Sequence, residues 1–144
     1  MNSAEIVARA RALVGVRFRP QGRTIEQGLD CIGVAAMATA TEGVRRDYCL
    51  RSSDADAVND EFSRCGFIRM ASGEAGEGDV LLVRPGPGTL HVIIRTPDGY
   101  VHADMRLRRV VEVPGAVPWP VLSAWRYPRH QDAGARASRI GGRA

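Results

Sequence analysis

Residues 79–103 read DVLLVRPGPGTLHVIIRTPDGYVHA, and this stretch decides the fold. Asp79 to Arg84 is an apolar run closed by Pro85, Gly86, Pro87 and Gly88, which predicts a strand followed by a turn. Leu90 to Arg95 predicts a second strand, Thr96-Pro97-Asp98-Gly99 a turn, and Tyr100 to Ala103 a third strand. Downstream, Arg109 to Val113 and Val121 to Tyr127 add two more, separated by the proline-bearing stretch Pro114 to Pro120. Upstream the periodicity is helical. Residues 3–14 place Ile6, Ala10, Leu13 and Val14 near helical spacing behind Ser3 as N-cap, and Gly15 ends the run. Residues 15–29, with Gly15, Pro20, Gly22 and Gly28, predict an irregular loop. A second helix is expected from Asp30 or Cys31 to about Thr41, apolar on every side and therefore buried. A third is expected over 52–64, capped by Ser53 or Asp54. Helices first and a meander of strands second predict an α+β domain, with helices packed on a small antiparallel sheet.

The chain has 144 residues, enough for one domain with its own core. Its 44% hydrophobic and 25% charged content excludes a collagen, a coiled coil and a wholly disordered chain. No apolar run approaches the ~20 residues of a spanning helix. Glu5, Arg9 and Arg11 interrupt every stretch that could serve as the apolar core of a signal peptide, so the expectation is synthesis in the cytoplasm without one. All 20 basic residues are arginine and the net charge is +4. Part of that excess lies in 129–144, where Arg129, Arg136, Arg139 and Arg143 sit among Gly, Ala and Ser; this is read as a mobile tail after a domain of 1–128. The tail has no interleaved aromatics, so nucleic acid is not expected as a partner, and the short apolar runs speak against a membrane.

Chemistry concentrates at Gly28-Leu29-Asp30-Cys31-Ile32-Gly33. The sequence puts a cysteine in the first turn of a buried helix, where unpaired N–H groups and the macrodipole favour an anion. A thiol there is expected to have a lowered pKa, and thiolate is the nucleophilic form. A cysteine nucleophile needs a base. His130 falls in the tail, which leaves His91 and His102 on adjacent predicted strands. An even loop centred on Thr96 to Gly99 would put both histidines on one face as diagonal neighbours, on the order of 7–8 Å apart at the backbone; an odd or bulged loop would separate them. Taken singly, each residue has a plain structural reading: a small core hydrophobe for Cys31, satisfied core residues for the histidines. Cys49 and Cys65 lack metal-ligand spacing, so no metal site is expected. Trp119 and Trp125 are read as core and Asp104 as a turn residue. Arg17, Arg19 and Arg23 precede the cysteine and could meet substrate carboxylates, against a plainer reading as a solvated loop.

Several ordered motifs resemble the NlpC/P60 family of cell-wall cysteine peptidases. They are Leu13-Val14-Gly15-Val16-Arg17-Phe18, Gly22, the Asp30-Cys31 element, Gly78 to Arg84, Leu90-His91-Val92, Tyr100-Val101-His102-Ala103 and Ala124 to Tyr127, spanning about residues 4–128. The resemblance implies a reduced papain-like fold, no cofactor, and a peptidoglycan stem peptide as substrate. It implies Cys31 as nucleophile, His91 as general base and His102 as the residue that orients it. It also implies substrate contacts near Asp30, Phe18 and Arg19. Two departures stand out. Family members often carry a tyrosine ahead of the Asp-Cys element, where this chain has Phe18, and often a serine after the cysteine, where it has Ile32. The Asp-Cys-aliphatic-Gly form resembles members encoded with phage tails and gene-transfer particles, which implies delivery to the wall by such a particle. Two rival readings stay open: an amidase or acyltransferase on a small molecule, and a non-catalytic tail-tip protein of the same fold.

Overall fold

The computed structural model describes residues 1–51 and 54–128. Its elements run α1 (Ser3–Ala12), β1 (Arg23–Thr24), β2 (Gly28–Leu29), α2 (Cys31–Ala38), α3 (Ala55–Arg64), β3 (Ile68–Met70), a 3₁₀ turn (Ser72–Glu74), β4 (Val80–Gly86), β5 (Thr89–Arg95), β6 (Gly99–Asp104), β7 (Arg109–Pro114) and β8 (Val121–Arg126). The α+β class and all five expected strands are present. The expected tail and the Ser53 cap lie outside the described residues. No helix among the described residues is long and apolar enough to cross a membrane.

The larger sheet is antiparallel with strand order β3-β8-β4-β5-β6-β7, so β3, which has only three residues and weak alternation, closes one edge. Alternation along each strand builds two layers. Val80, Leu82, Val92, Ile94, Val101, Ala103 and Val110 face the helices and join Ile6, Ala10, Val34 and Phe62 in the main core. Leu81, Val83, Ile93, Tyr100 and Ala124 face the other way, under Val117 and Trp119 of the 115–120 connection. The motif Gly78-Asp79 is structural. Asp79 is buried and takes both Nε (2.9 Å) and Nη2 (2.8 Å) of Arg126, joining the start of β4 to the end of β8.

Local differences from the sequence reading have simple causes. Asn2, not Ser3, caps α1, its Oδ1 accepting the N–H of Glu5 at 2.9 Å. α2 stops at Ala38 rather than Thr41, with Thr39 as its C-cap. Arg9 of α1 then donates to the exposed carbonyls of Met37 (2.7 Å) and Ala38 (3.1 Å), a cation at the negative end of the helix. The loop 15–29 contains a small ladder, Arg23↔Leu29 and Thr24↔Gly28, too short to leave a periodic signal.

That loop is pressed onto α2 by glycines. A Cβ on Gly33 would stand 2.1 Å from the carbonyl oxygen of Gly22, and a Cβ on Gly22 would stand 2.2 Å from that of Gly28. Gly33→Ala should therefore lower stability by about 1–3 kcal/mol, although alanine is the better helix former. Gly73→Ala, where a Cβ meets open space, should leave it nearly unchanged. Urea midpoints of the two variants check this.

Candidate active site

The cysteine-bearing turn is organised by the carboxylate beside it. Asp30 is buried and caps α2, its Oδ1 accepting the N–H of Gly33 at 2.8 Å. Arg23 Nη1 reaches the same oxygen at 3.0 Å. Oδ2 accepts the N–H of Gln21 at 3.0 Å and the hydroxyl of Tyr48. A carboxylate offers about four lone-pair positions, and here each oxygen already has two partners. Asp30 thus has no acceptor capacity left for a substrate amine; the expectation of Asp30 as a substrate contact gives way to Asp30 as organiser of the turn. Tyr48 was not foreseen. Its hydroxyl also accepts from Arg23 Nη2 at 2.9 Å, and burial, with the hydrogen bond to Asp30, holds its pKa well above the ordinary phenol value. It lies in an irregular segment 18 residues after Asp30, where no periodic signal points to it.

Cys31 is 3% exposed. Its side chain comes from the helix side and meets the backbone N–H of Val92, the residue after His91, besides the N–H groups of Ile32 and Cys31 itself. Those dipoles favour a thiolate, as the sequence predicts, but they lose. Burial, reinforced by the adjacent Asp30 charge, pushes the thiol up to about 12. The expected lowered pKa is therefore corrected: the free site holds a thiol at neutral pH.

The histidines share the other face of the sheet. The tight turn at Pro97–Asp98, closed by the N–H of Thr96 on the carbonyl of Gly99 at 2.9 Å, gives the even register Ile94↔Val101 and Arg95↔Tyr100. The β5–β6 ladder ends there, and the strands part beside His91 and His102. His91 Nε2 and His102 Nδ1 are 2.8 Å apart, and the rings meet edge to face at 5.0 Å. The His91 hydrogen bond runs to His102 and not to the Cys31 thiol. Burial first, and the charge of His102 second, lower His91 to about 3. Burial also lowers His102, against the opposing pull of Asp104. Asp104 is indeed the turn residue the sequence suggests, Oδ1 accepting the N–H groups of Arg106 (2.8 Å) and Leu107 (3.0 Å). Its Oδ2 also stands 3.9 Å from His102 Nε2. Trp119, read as core, is half-buried and lies against His91 (5.7 Å), His102 (5.6 Å) and Tyr100 (5.7 Å) between ring centres.

Phe18 packs on the helix-side core through its bridge to Leu29, while Arg19 is exposed beside it. Arg23 is committed to Asp30. Cys49 is exposed and Cys65 half-buried, and no cluster of His, Cys, Asp or Glu suited to a metal occurs among the described residues. A cavity of about 340 Å³ lies between α2 and α3, behind Ile32 and Tyr48, and its lining includes none of Cys31, His91 and His102.

No family model matches the sequence, and no curated protein matches it. Solved structures do. The chain resembles the NlpC/P60 domain of the peptidoglycan hydrolase SagA at 23% identity and a TM-score of 0.56, covering 79% of this chain and 90% of that one. The fold is that of NlpC/P60 domains. The P60 domain of antigen MAP1204 from M. avium subspecies paratuberculosis matches at 18% identity and TM-score 0.62, over 88% of this chain and 94% of that one. The peptidoglycan hydrolase RipB from Mycobacterium tuberculosis matches at 20% and 0.58, over 88% of this chain but 64% of that one. The chain spans 47% of NlpC2 from Trichomonas vaginalis.

The titrations of the candidate site bear on stability. His91 is lowered from 6.5 to about 3, so the unfolded chain binds the extra proton between those values. Stability is thus full above pH 6.5 and is lost as pH falls toward 3. Cys31, raised from 9.0 to about 12, works in the opposite direction: its contribution is full below pH 9 and fades as pH rises toward 12. Urea midpoints against pH should fall more steeply on the acid side for the native chain than for His91→Gln, by about one proton.

Proposed function

We propose that the chain is a cysteine peptidase acting on peptide bonds of bacterial peptidoglycan stem peptides, with Cys31 as nucleophile, His91 as general base and His102 as its orienting partner. The observation that carries the reading is the His91–His102 hydrogen bond, with the Cys31 side chain against the N–H of Val92, the residue after His91. The peptidoglycan hydrolases SagA and RipB, which share the fold, support the substrate class.

The hydrogen-bond chain gives the tautomers. With His102 Nε2–H toward Asp104, Nδ1 of His102 accepts from His91 Nε2–H, and Nδ1 of His91 is left as the basic nitrogen for the thiol. Because the resting pair is neutral, attack and proton transfer go together. Sγ bonds to the scissile carbonyl carbon while its proton passes to His91 Nδ1. The backbone N–H of Cys31 at the helix start serves the oxyanion. The C–N bond then breaks, His91 returns the proton to the leaving amine, and a thioester remains. Water attacks it with His91 again as base, releasing the carboxylate and restoring the thiol. Arg19, exposed on the histidine face, is the substrate contact of this reading, and Phe18, packed on the helix-side core, supports the segment that carries it. The Asp-Cys-aliphatic-Gly form supports delivery to the wall by a phage-tail-like particle.

One observation favours a second reading, a non-catalytic protein of the same fold: the Cys31 thiol is buried, and burial pushes its pKa up. Turnover separates the two. Defined stem peptides incubated with the full chain should yield new amine and carboxyl termini by mass spectrometry. Cys31→Ala should abolish cleavage, and His91→Ala should reduce it about 10²–10⁴-fold. His102→Ala should reduce kcat and shift its acid limb, because the His91 tautomer is then no longer fixed. Cleavage that survives Cys31→Ala would exclude this mechanism.

A further inference from the structure

The segment before β1 extends the large sheet past β7. Phe18 N–H donates to the carbonyl of Arg108 at 2.9 Å and Val110 N–H to that of Val16 at 2.8 Å, so Arg17 and Arg109 face one another between these bonds. That is the non-hydrogen-bonded kind of antiparallel pair, in which opposed side chains stand closest. Like charges in this position are destabilising. Phe18 and Val110 turn toward the helix-side core, which leaves Arg17 and Arg109 on the opposite face. A Cβ on Gly28 would meet Arg19 Cβ at 2.8 Å and Arg17 Cγ at 3.2 Å, so Arg19 rises beside Arg17 over the same glycine. All three arginines are exposed.

This face is the one that carries the histidines. β6 and β7 pair as His102↔Val111 and Asp104↔Arg109, while Val101, Ala103 and Val110 turn to the helices. The arginines therefore continue the row that starts at Asp104, two residues along β6 from His102 and on the same face. Among the described residues no salt bridge includes any of the three. The Arg17 guanidinium donates to the carbonyls of Gln27 (3.0 Å) and Glu26 (3.4 Å), which carry no net charge. Asp104, cross-strand from Arg109, accepts the N–H groups of Arg106 and Leu107 through Oδ1 and has His102 Nε2 3.9 Å from Oδ2.

We infer that Arg17, Arg19 and Arg109 form an anion subsite that holds a carboxylate of the peptide being cut. This rests on the peptidase reading of the neighbouring histidines. One and two strand spacings across, with two residues along β6, put the backbones of Arg109 and Arg17 roughly 8–12 Å from His102. An extended peptide covers that span in about three residues. The substrate class is a short peptide whose free carboxylate lies about three residues from the scissile bond. A destabilising like-charge pair is kept because an anion bridges it when substrate binds.

Two measurements on the full chain test this. First, citrate is titrated while arginine Nε–H resonances are followed by NMR; Arg17, Arg19 and Arg109 shift and exposed Arg46 does not. Second, kcat and KM are compared for a stem tetrapeptide with a free C-terminal carboxylate and for its C-terminal amide. The amide, and separately Arg109→Gln, each raise KM about tenfold with little change in kcat, and combining them adds no further loss. Arg109→Gln melts no lower than the native chain, because it relieves the like-charge pair. A lower melting temperature with unchanged KM marks Arg109 as merely structural and overturns the inference. Equal KM for acid and amide, with both cut, overturns it while leaving the peptidase reading intact. Silence of the three arginines toward citrate overturns the anion subsite outright. If they respond and neither peptide is cut, the subsite stands and the peptidase reading falls.

Discussion

The site depends on a single buried carboxylate. Asp30 receives the N–H of Gly33 from α2, the N–H of Gln21 and the guanidinium of Arg23 from the preceding loop, and the hydroxyl of Tyr48 from the segment after α2. Each partner comes from a different backbone direction, so satisfying one buried charge fixes the loop, the helix start and the 45–50 segment together. The same segment continues to Leu50, whose carbonyl accepts the N–H of Leu90 at 2.7 Å, one residue before His91. The Cys31 side and the His91 side are thus tied through one stretch of backbone. Removing the carboxylate would leave buried donors without an acceptor, which is costlier than the loss of any one bond.

Two electrostatic effects compete at Cys31, and their sizes decide the resting state. A helix N-terminus stabilises a negative charge by up to about 2 kcal/mol in buried geometry. The upward displacement of the thiol from 9.0 to about 12 corresponds to roughly 4 kcal/mol against the thiolate. Desolvation wins. The same burial lowers His91, so the pair rests neutral and neither group carries charge into an apolar setting. A protonated, enclosed thiol is also a poor target for oxidation, since susceptibility follows thiolate character and exposure. In the proposed mechanism the thiol proton therefore leaves as Sγ attacks, passing to an imidazole already held by His102 and walled by Trp119.

Much of this was legible in the sequence where the signal is periodic. The strands from Asp79 to Ala103 announce themselves by apolar runs and turn residues; the sequence leaves the loop between β5 and β6 even or odd, and the even turn at Pro97–Asp98 puts His91 and His102 on one face. The Asp30 cap is a local signal and reads correctly. What the sequence hides is non-local. Tyr48 and Trp119 sit in irregular segments, and only the closed fold brings them to Asp30 and to the imidazoles. Burial at Cys31 is likewise a property of the packed sheet rather than of the helix start, which is why its thiol goes up instead of down. Asp30 looked available to substrate because its four partners are scattered over residues 21–48.

The central claim is that Cys31 forms a covalent acyl intermediate with a peptide. The direct measurement is to mix the full chain with a stem peptide, quench in acid within milliseconds to seconds, and record the intact mass followed by peptide mapping. The account predicts a thioester adduct of the acyl fragment on Cys31, absent from Cys49 and Cys65, that disappears as the second product is released. Peptide cleavage without any adduct on Cys31, under conditions where deacylation is slowed, would contradict it.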